Sequence, residues 1–245
     1  MQIEQYRRFY ELEDKHWWFV GMRDIFCRLI SNIYKGNKKL LVLDVGCGAG
    51  MIMKDLEKFG KVVGVDVEDA ALKFCQKRDV GDLCLGSGVN LPFKDATFDL
   101  VTAFSVVEHV QDDISFIGEL NRVCKIGGRI ILSTSAFNFL WSQHDLINGH
   151  KKRYEKNSLK EIFLKHRLVI EKITYTNFIL FPVILLAIIL NNLLKRSCKG
   201  TVDVFYTMPK LLNGFLTFIL KTESIILTKF NFSFGVSLLC VGRKI

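Results

Sequence analysis

Leu41 to Gly50, LVLDVGCGAG, is the stretch whose residue types most directly imply chemistry. An apolar run carries Asp44 near its end, Gly46, Gly48 and Gly50 follow, and a helical pattern begins at Met51. Glycine lets a backbone turn sharply and approach a ligand closely, and the helix behind it offers unpaired N–H groups. The spacing is GxGxG, and Met51 fills the position a dinucleotide fingerprint gives to Gly or Ala, so pyrophosphate is a poor fit. No GK[ST] follows, which removes the P-loop. Asp66 ends the next apolar run 20 residues after Gly46, where a carboxylate can accept bonds from both hydroxyls of a ribose. These residues together predict a nucleoside ligand with little phosphate. A second concentration of chemistry is LWSQHDLINGHKKRY, 140–154, with His144, Asp145, His150, Arg153 and Tyr154. Such density in a connecting segment predicts acceptor binding. His144 is the favoured general base, Asp145 is expected to fix a neighbouring imidazole, and Lys152 and Arg153 are expected to hold an acceptor phosphate or carboxylate. No metal site is expected.

Short β-branched runs alternating with helical spacing must position these residues, the pattern of βαβ units around a parallel sheet. Strands are predicted at 39–45, 61–67, 82–87, 98–105, 128–135, 168–175 and 234–244, and helices at 51–59, 70–78 and 113–123, with a further one capped by Asn157 or Ser158. From Ile173 to Leu194 no residue is charged, but the first part completes a strand and Pro182 suits a first helical turn. A helix over Pro182 to Leu194 is too short for the ~30 Å hydrocarbon core. With a second apolar segment, Met208 to Leu220, it reads either as an interfacial hairpin or as a buried helical cap.

The 245 residues carry 34 Lys+Arg against 25 Asp+Glu, 49% are hydrophobic, and only 3 are Pro, which excludes disordered and collagen-like chains. Seven cysteines, none in a CxxC, favour neither a disulfide framework nor a zinc cluster, and a reducing cytoplasm fits best. The N-terminus lacks an apolar run of signal-peptide length, so secretion is not expected. Residues 1–136 hold 18 basic against 19 acidic side chains; the remaining 109 hold 16 against 6. A basic C-terminal field favours an anionic partner, and peripheral attachment to the inner face of an anionic membrane is expected through Pro182 to Leu220, with Lys195, Arg196 and Lys199 at the headgroups.

The chain resembles the class I S-adenosylmethionine-dependent methyltransferases. The GxGxG loop behind an acidic strand end, LPFKDATFDLV at 91–101 and RVCKIGGRIILS at 122–133 match their motifs. A narrower bacterial group resembles it further, through HWWFVGMR (16–23), VEHV (107–110) and LWSQHDLINGHKKRY (140–154). The resemblance implies a Rossmann-like seven-stranded α/β sheet with a reversed last strand. Its implied organisation is an N-terminal helical lid at 1–38, a methyltransferase domain at 39–176 and 234–245, and an apolar helical insertion at 177–233. It implies S-adenosylmethionine as cofactor, held around Asp44, Gly46, Cys47, Gly48 and Gly50, with Asp66 and Val67 at the ribose. Asp44 is expected to bond loop amides and to reach the methionine amino group. Ser87 and Gly88 stand where the family places an adenine contact, and Phe104 ends the fourth strand. Met22 replaces the first Arg of the N-terminal motif, leaving Arg23 as partner for the cofactor carboxylate. His109 falls near the methyl group as a second catalytic candidate, and Trp141 joins His150, Arg153 and Tyr154 at the acceptor. Trp17, Trp18 and Phe19 fit a lid or a core. The function implied is methyl transfer to a small-molecule or lipid- or glycan-linked acceptor. An RNA methyltransferase is disfavoured by AFSV at 103–106, where [DN]PP[FY] would stand, so nucleic acid is not the expected partner. A non-catalytic membrane module with a relict cofactor fold is the third reading.

Overall fold

The structure is a computed structural model and describes residues 3–35, 39–193 and 208–245. Two helices come first, α1 (Ile3–Leu12) and α2 (Trp17–Ile33). Strands then alternate with helices: β1 (Leu40–Val45), α3 (Met51–Leu56), β2 (Gly60–Asp66), α4 (Asp69–Arg78), β3 (Asp82–Leu85), β4 (Phe98–Phe104), α5 (Asp113–Val123) and β5 (Cys124–Ser135). After β5 come the short α6 (Gln143–Asn148), α7 (Lys156–Lys165), β6 (Leu168–Thr176), α8 (Phe181–Leu193), α9 (Lys210–Leu227) and β7 (Ser237–Lys244).

The seven strands form one sheet in the order β3-β2-β1-β4-β5-β7-β6, with β7 antiparallel to both neighbours and the other pairs parallel. Strands covered on both faces read as continuous apolar runs because alternate side chains enter two different cores. In β1, Leu43 and Val45 pack with Phe116, Ile117 and Leu120 of α5, whereas Leu40 and Val42 pack on the other face with Ile25, Phe26 and Ile30 of α2 and Leu56 of α3. The sheet order reverses between β1 and β4, and the carboxyl ends of those strands open into the crevice where such folds bind ligands.

The sequence expectations for the strands agree with this sheet, and two helices differ. The second apolar segment continues past Leu220 to Leu227 because its charged turn is internal: Glu223 is buried and accepts from the amides of Asn177 (2.5 Å) and Ile179 (3.1 Å). That carboxylate ties α9 to the chain leaving β6, and Gly21 of α2 lets Leu220 approach where a Cβ would sit 2.4 Å from it. The polar connection after β5 contains α6, opened by a capping box between Ser142 and Asp145. None of the described helices is long and apolar enough to cross a membrane. Lys195, Arg196 and Lys199 lie outside the described residues.

Candidate active site

A cavity of about 2100 Å³ lies beyond the carboxyl ends of β1, β2, β4 and β5. Gly46, Cys47, Gly48, Asp66, Val67, Ser87 and Gly88 line one end of it. The amides of Gly46 and Cys47 donate to the Val65 carbonyl at 2.7 and 3.2 Å, which pins the glycine loop to β2. Gly48 sits at φ +56 with no atom within 4 Å of the place a Cβ would take, and its amide donates to Asp66 Oδ2 at 3.0 Å. The other Asp66 oxygen accepts from the Glu68 amide at 3.0 Å, and burial pushes this carboxyl up despite those bonds. Asp66 therefore orients the loop, the role expected of Asp44.

Asp44 is buried and bonds the Thr102 hydroxyl at 2.7 Å through Oδ1 instead of the loop amides, and its Oδ2 is buried with no partner. Burial pushes its pKa up to about 7, and the nearby Asp66 charge adds to the effect. Gly50 is also a correction: its Cβ position points at Cys75 of α4 and at Val80 just past that helix, so this glycine serves packing and not the cavity. Cys47 lines the cavity with its sulfur 3.9 Å from that of Cys75. Phe104 lines it too and stacks on Phe26 with centroids 3.8 Å apart.

Gln5, Tyr6 and Phe9 of α1 line the cavity, and the helix is fastened at both ends. Arg78 of α4 donates to the carbonyls of Ala49 and Tyr10 at 2.7 Å, ion-pairs with Glu13 at 3.2 Å and lies 4.4 Å over the Tyr10 ring. At the far side Gln5 donates to the Ile147 carbonyl of α6 at 3.2 Å. Arg23 lines the cavity, but its Nε pairs with Asp55 at 2.7 Å and a terminal nitrogen donates to the Glu13 carbonyl. Glu13 is pushed up to about 7 by burial, against the pull of Arg78 and Arg23.

At the other end of the cavity, where the acceptor is expected, His109, His144 and His150 converge from the 3-10 turn after β4 (Val107–His109), from α6 and from the residues just past α6. The His150 ring lies 4.8 Å from His109 and 5.8 Å from His144. Asp145 fixes His150, not His144: its Oδ1 meets His150 Nδ1 at 2.8 Å. Arg153 grips the same carboxylate through Nε (2.8 Å) and Nη2 (2.9 Å), and its Nη1 donates to the Ala136 carbonyl at 2.9 Å. Burial opposes ionisation of Asp145, but the bonds from His150 and Arg153 outweigh it and hold its pKa well below the carboxylate range. Burial, reinforced by the charge on His150, lowers His109 and His144 to about 4.

Four residues expected at the acceptor are engaged otherwise or lie off the cavity. Arg153 lines the cavity but spends its donors on Asp145 and Ala136, so it has no fork left for an acceptor anion. Tyr154 is buried, donates to Asp113 at 3.0 Å and lines a separate cavity of about 330 Å³, where Lys152 also pairs with Asp113 at 2.6 Å. Trp141 is not among the cavity-lining residues. Residues that sequence reasoning passed over line it instead. Glu108, inside the VEHV motif beside His109, is buried and accepts from Thr134 Oγ1 at 2.9 Å. Ile184 and Ile188 of α8, with Met208, form an apolar wall facing Trp17 and Trp18. Their signal was the uncharged run itself, which does not say which helix face turns inward.

Residues 43–132 match the model of a methyltransferase domain. Among curated proteins the chain is similar to the demethylmenaquinone methyltransferase of Lactiplantibacillus plantarum, 35% identical over 133 residues, 49% of this chain and 52% of that protein. It is also similar to the norajmaline N-methyltransferase of Rauvolfia serpentina, 32% identical over 137 residues, 51% of this chain and 47% of the other. The chain thus spans about half the length of these curated relatives. Among solved structures, the methyltransferase bound to the Haloferax volcanii Trm112 methyltransferase activator superposes with a TM-score of 0.65 at 15% identity, covering 98% of this chain and 94% of that one. A geranyl diphosphate methyltransferase in complex with SAM gives 0.59 at 17%, covering 92% and 85%. At these identities the structures establish the fold.

Proposed function

We propose, from the match of residues 43–132 to a methyltransferase domain, that the protein is a class I S-adenosylmethionine-dependent methyltransferase that methylates a small-molecule or lipid-linked acceptor at a membrane surface. The observation that carries this reading is the cavity, which joins the glycine loop at one end to three histidines and an apolar wall at the other. S-adenosylmethionine is the cofactor and supplies an electrophilic methyl group when bound. Two features fit it: the open space beside Gly48, and the partnerless buried oxygen of Asp44, which suits a donor such as the ammonium of its methionine part. Asp66 and Val67 would take the ribose, and Ser87 and Gly88 the base. Among this chain's residues, α1 and α2 act as the lid that excludes water and α8 shapes the acceptor end. Labelled cofactor incubated with fractionated lipid, glycan and RNA extracts tests the reading. Label in the lipid fraction is expected, label confined to RNA would overturn the acceptor class, and no transfer would overturn the activity.

Asp44 gives the cofactor site a pH dependence. Its pKa of about 7 in the free protein must fall when an ammonium bonds Oδ2, so the proton leaves on binding. The affinity is therefore complete above pH 7 and declines as pH drops through 7, by up to about tenfold per pH unit. Calorimetry at pH 8 and pH 6 reads this directly, and a profile as steep in Asp44→Asn as in the wild type would refute it.

The outer faces of α8 and α9 carry Val183, Leu186, Leu211, Phe215 and Phe218 in the open, Leu211 at 91% and Phe218 at 68% exposure. Exposed large apolar side chains on both helices fit an interaction site, and exposed Lys210 and Lys221 stand among them on α9. Insertion of this face into an anionic bilayer, with about 1 kcal/mol from each lysine near the surface, predicts flotation with phosphatidylserine vesicles and partial release in high salt. Phe215→Asp with Phe218→Asp should abolish flotation. Wild-type protein remaining in the soluble fraction at low salt would show that the helices only cap the core.

A further inference from the structure

The three histidines at the acceptor end are not equivalent. A carboxylate bonded as Asp145 is can only accept, so His150 donates from Nδ1, and its neutral ring keeps the acceptor lone pair on Nε2. His150 lines the cavity, and among the described residues no protein group bonds its Nε2. The ring's orientation is over-determined: Arg153 and the Ser142 amide hold the carboxylate, and the His150 amide donates to the Asp145 carbonyl at 2.9 Å. The charged and titratable groups around it are Asp145 and Arg153 behind, Glu108 engaged with Thr134 and Ser135, and the rings of His109 and His144. Burial lowers both of those rings, and His150 is the ring of the trio that the Asp145 carboxylate backs through Nδ1.

We propose that this site methylates a neutral hydroxyl and that His150, oriented by Asp145, is the residue that takes the hydroxyl proton. The proposal rests on the methyltransferase reading above and names the acceptor class within it. An acceptor that is already anionic would need no base. An alkylammonium would meet the same burial cost that lowers His109 and His144. A hydroxyl arrives uncharged; as its oxygen forms the bond to the methyl carbon and the carbon–sulfur bond breaks with its electron pair on sulfur, the proton passes to Nε2. The imidazolium is then stabilised by Asp145 and loses its proton to water when the product departs. Positioned proton transfer of this kind is worth about 10²- to 10⁴-fold in rate. His144, the base expected from sequence, has a ring 5.8 Å from His150, and it is His150 Nδ1 that meets Asp145 Oδ1 at 2.8 Å.

4-Nitrophenol is the probe, because its ionised form is yellow and its neutral form is not. It is titrated at pH 6 into the wild-type protein saturated with S-adenosylhomocysteine, and into His150→Ala and His144→Ala variants whose fold is checked by circular dichroism. The wild type should convert bound probe to phenolate at about tenfold or more the fraction seen in buffer. His144→Ala should preserve that conversion and His150→Ala should abolish it. No added phenolate in the wild type, or a band that survives His150→Ala, overturns the proposal. Calorimetric binding of S-adenosylmethionine is measured beside it: its absence defeats the methyltransferase reading, whereas cofactor binding without phenolate defeats only the hydroxyl assignment.

Discussion

Gly48→Val abolishes S-adenosylmethionine binding while leaving the protein folded. The residue sits at φ +56, a conformation a β-branched side chain adopts only at a cost of about 1–3 kcal/mol. Its Cβ would enter a space no protein atom approaches within 4 Å, so the new methyl groups displace ligand and not protein. The neighbouring glycines make poorer tests. A Cβ at Gly46 would meet Val106 at 2.4 Å and one at Gly50 would meet the Cys75 sulfur at 2.9 Å, so both substitutions disturb packing as well. The expected result is a native circular dichroism spectrum and a thermogram with no binding heat at millimolar cofactor. Binding within a few-fold of wild type would mean that the open space beside Gly48 is not where the cofactor lies.

The cofactor end was legible in the sequence because local chain geometry dictates it. A strand followed at once by GxGxG has few ways to continue, and an acid closing the next parallel strand arrives beside that loop whatever the rest of the chain does. Even there, the division of labour between Asp44 and Asp66 escaped, since it turns on Thr102 of β4, 58 residues from Asp44, reaching the first carboxylate. The acceptor end was legible in content and not in pairing. His144 adjoins Asp145 in sequence, yet adjacent residues on a helix point in different directions. His150 reaches Asp145 because α6 ends at Gly149, whose φ of +72 turns the chain back on itself. The capping pattern of Ser142 with Asp145 and the helix-stopping glycine were both present as signals. Tyr154 is turned from the cavity by its bridge to Ala136, a contact between segments that no periodicity announces. For α8 the sequence showed an apolar helix, but only packing against Trp17 and Leu220 separates the faces of Ile184 and Ile188 from those of Val183 and Leu186.

Arg153→Met should cost about 3–5 kcal/mol of stability, the range for breaking a buried ion pair by removing one partner. Asp145 is fully buried and Arg153 is 8% exposed, so the substitution leaves a carboxylate in a low-dielectric site with its bidentate partner gone. An exposed pair would contribute about 0–1 kcal/mol, which makes the size of the loss a measure of desolvation. The loss also has a direction in pH. Asp145 is held below its ordinary pKa in the folded wild type, so its contribution is present above the unfolded-state value and is lost as pH falls through the folded one. In Arg153→Met the carboxylate keeps His150 but lacks its bidentate partner, so protonation relieves it and the deficit against wild type narrows as pH drops toward the carboxylate range. Urea unfolding at pH 7 and pH 5 measures both quantities. Adding Asp145→Asn to Arg153→Met should recover part of the stability at pH 7, because the double variant buries no uncompensated charge. A loss below about 1 kcal/mol, or one that does not change with pH, would show that Asp145 and Arg153 are hydrated in solution, and the fixed orientation of His150 would lose its physical basis.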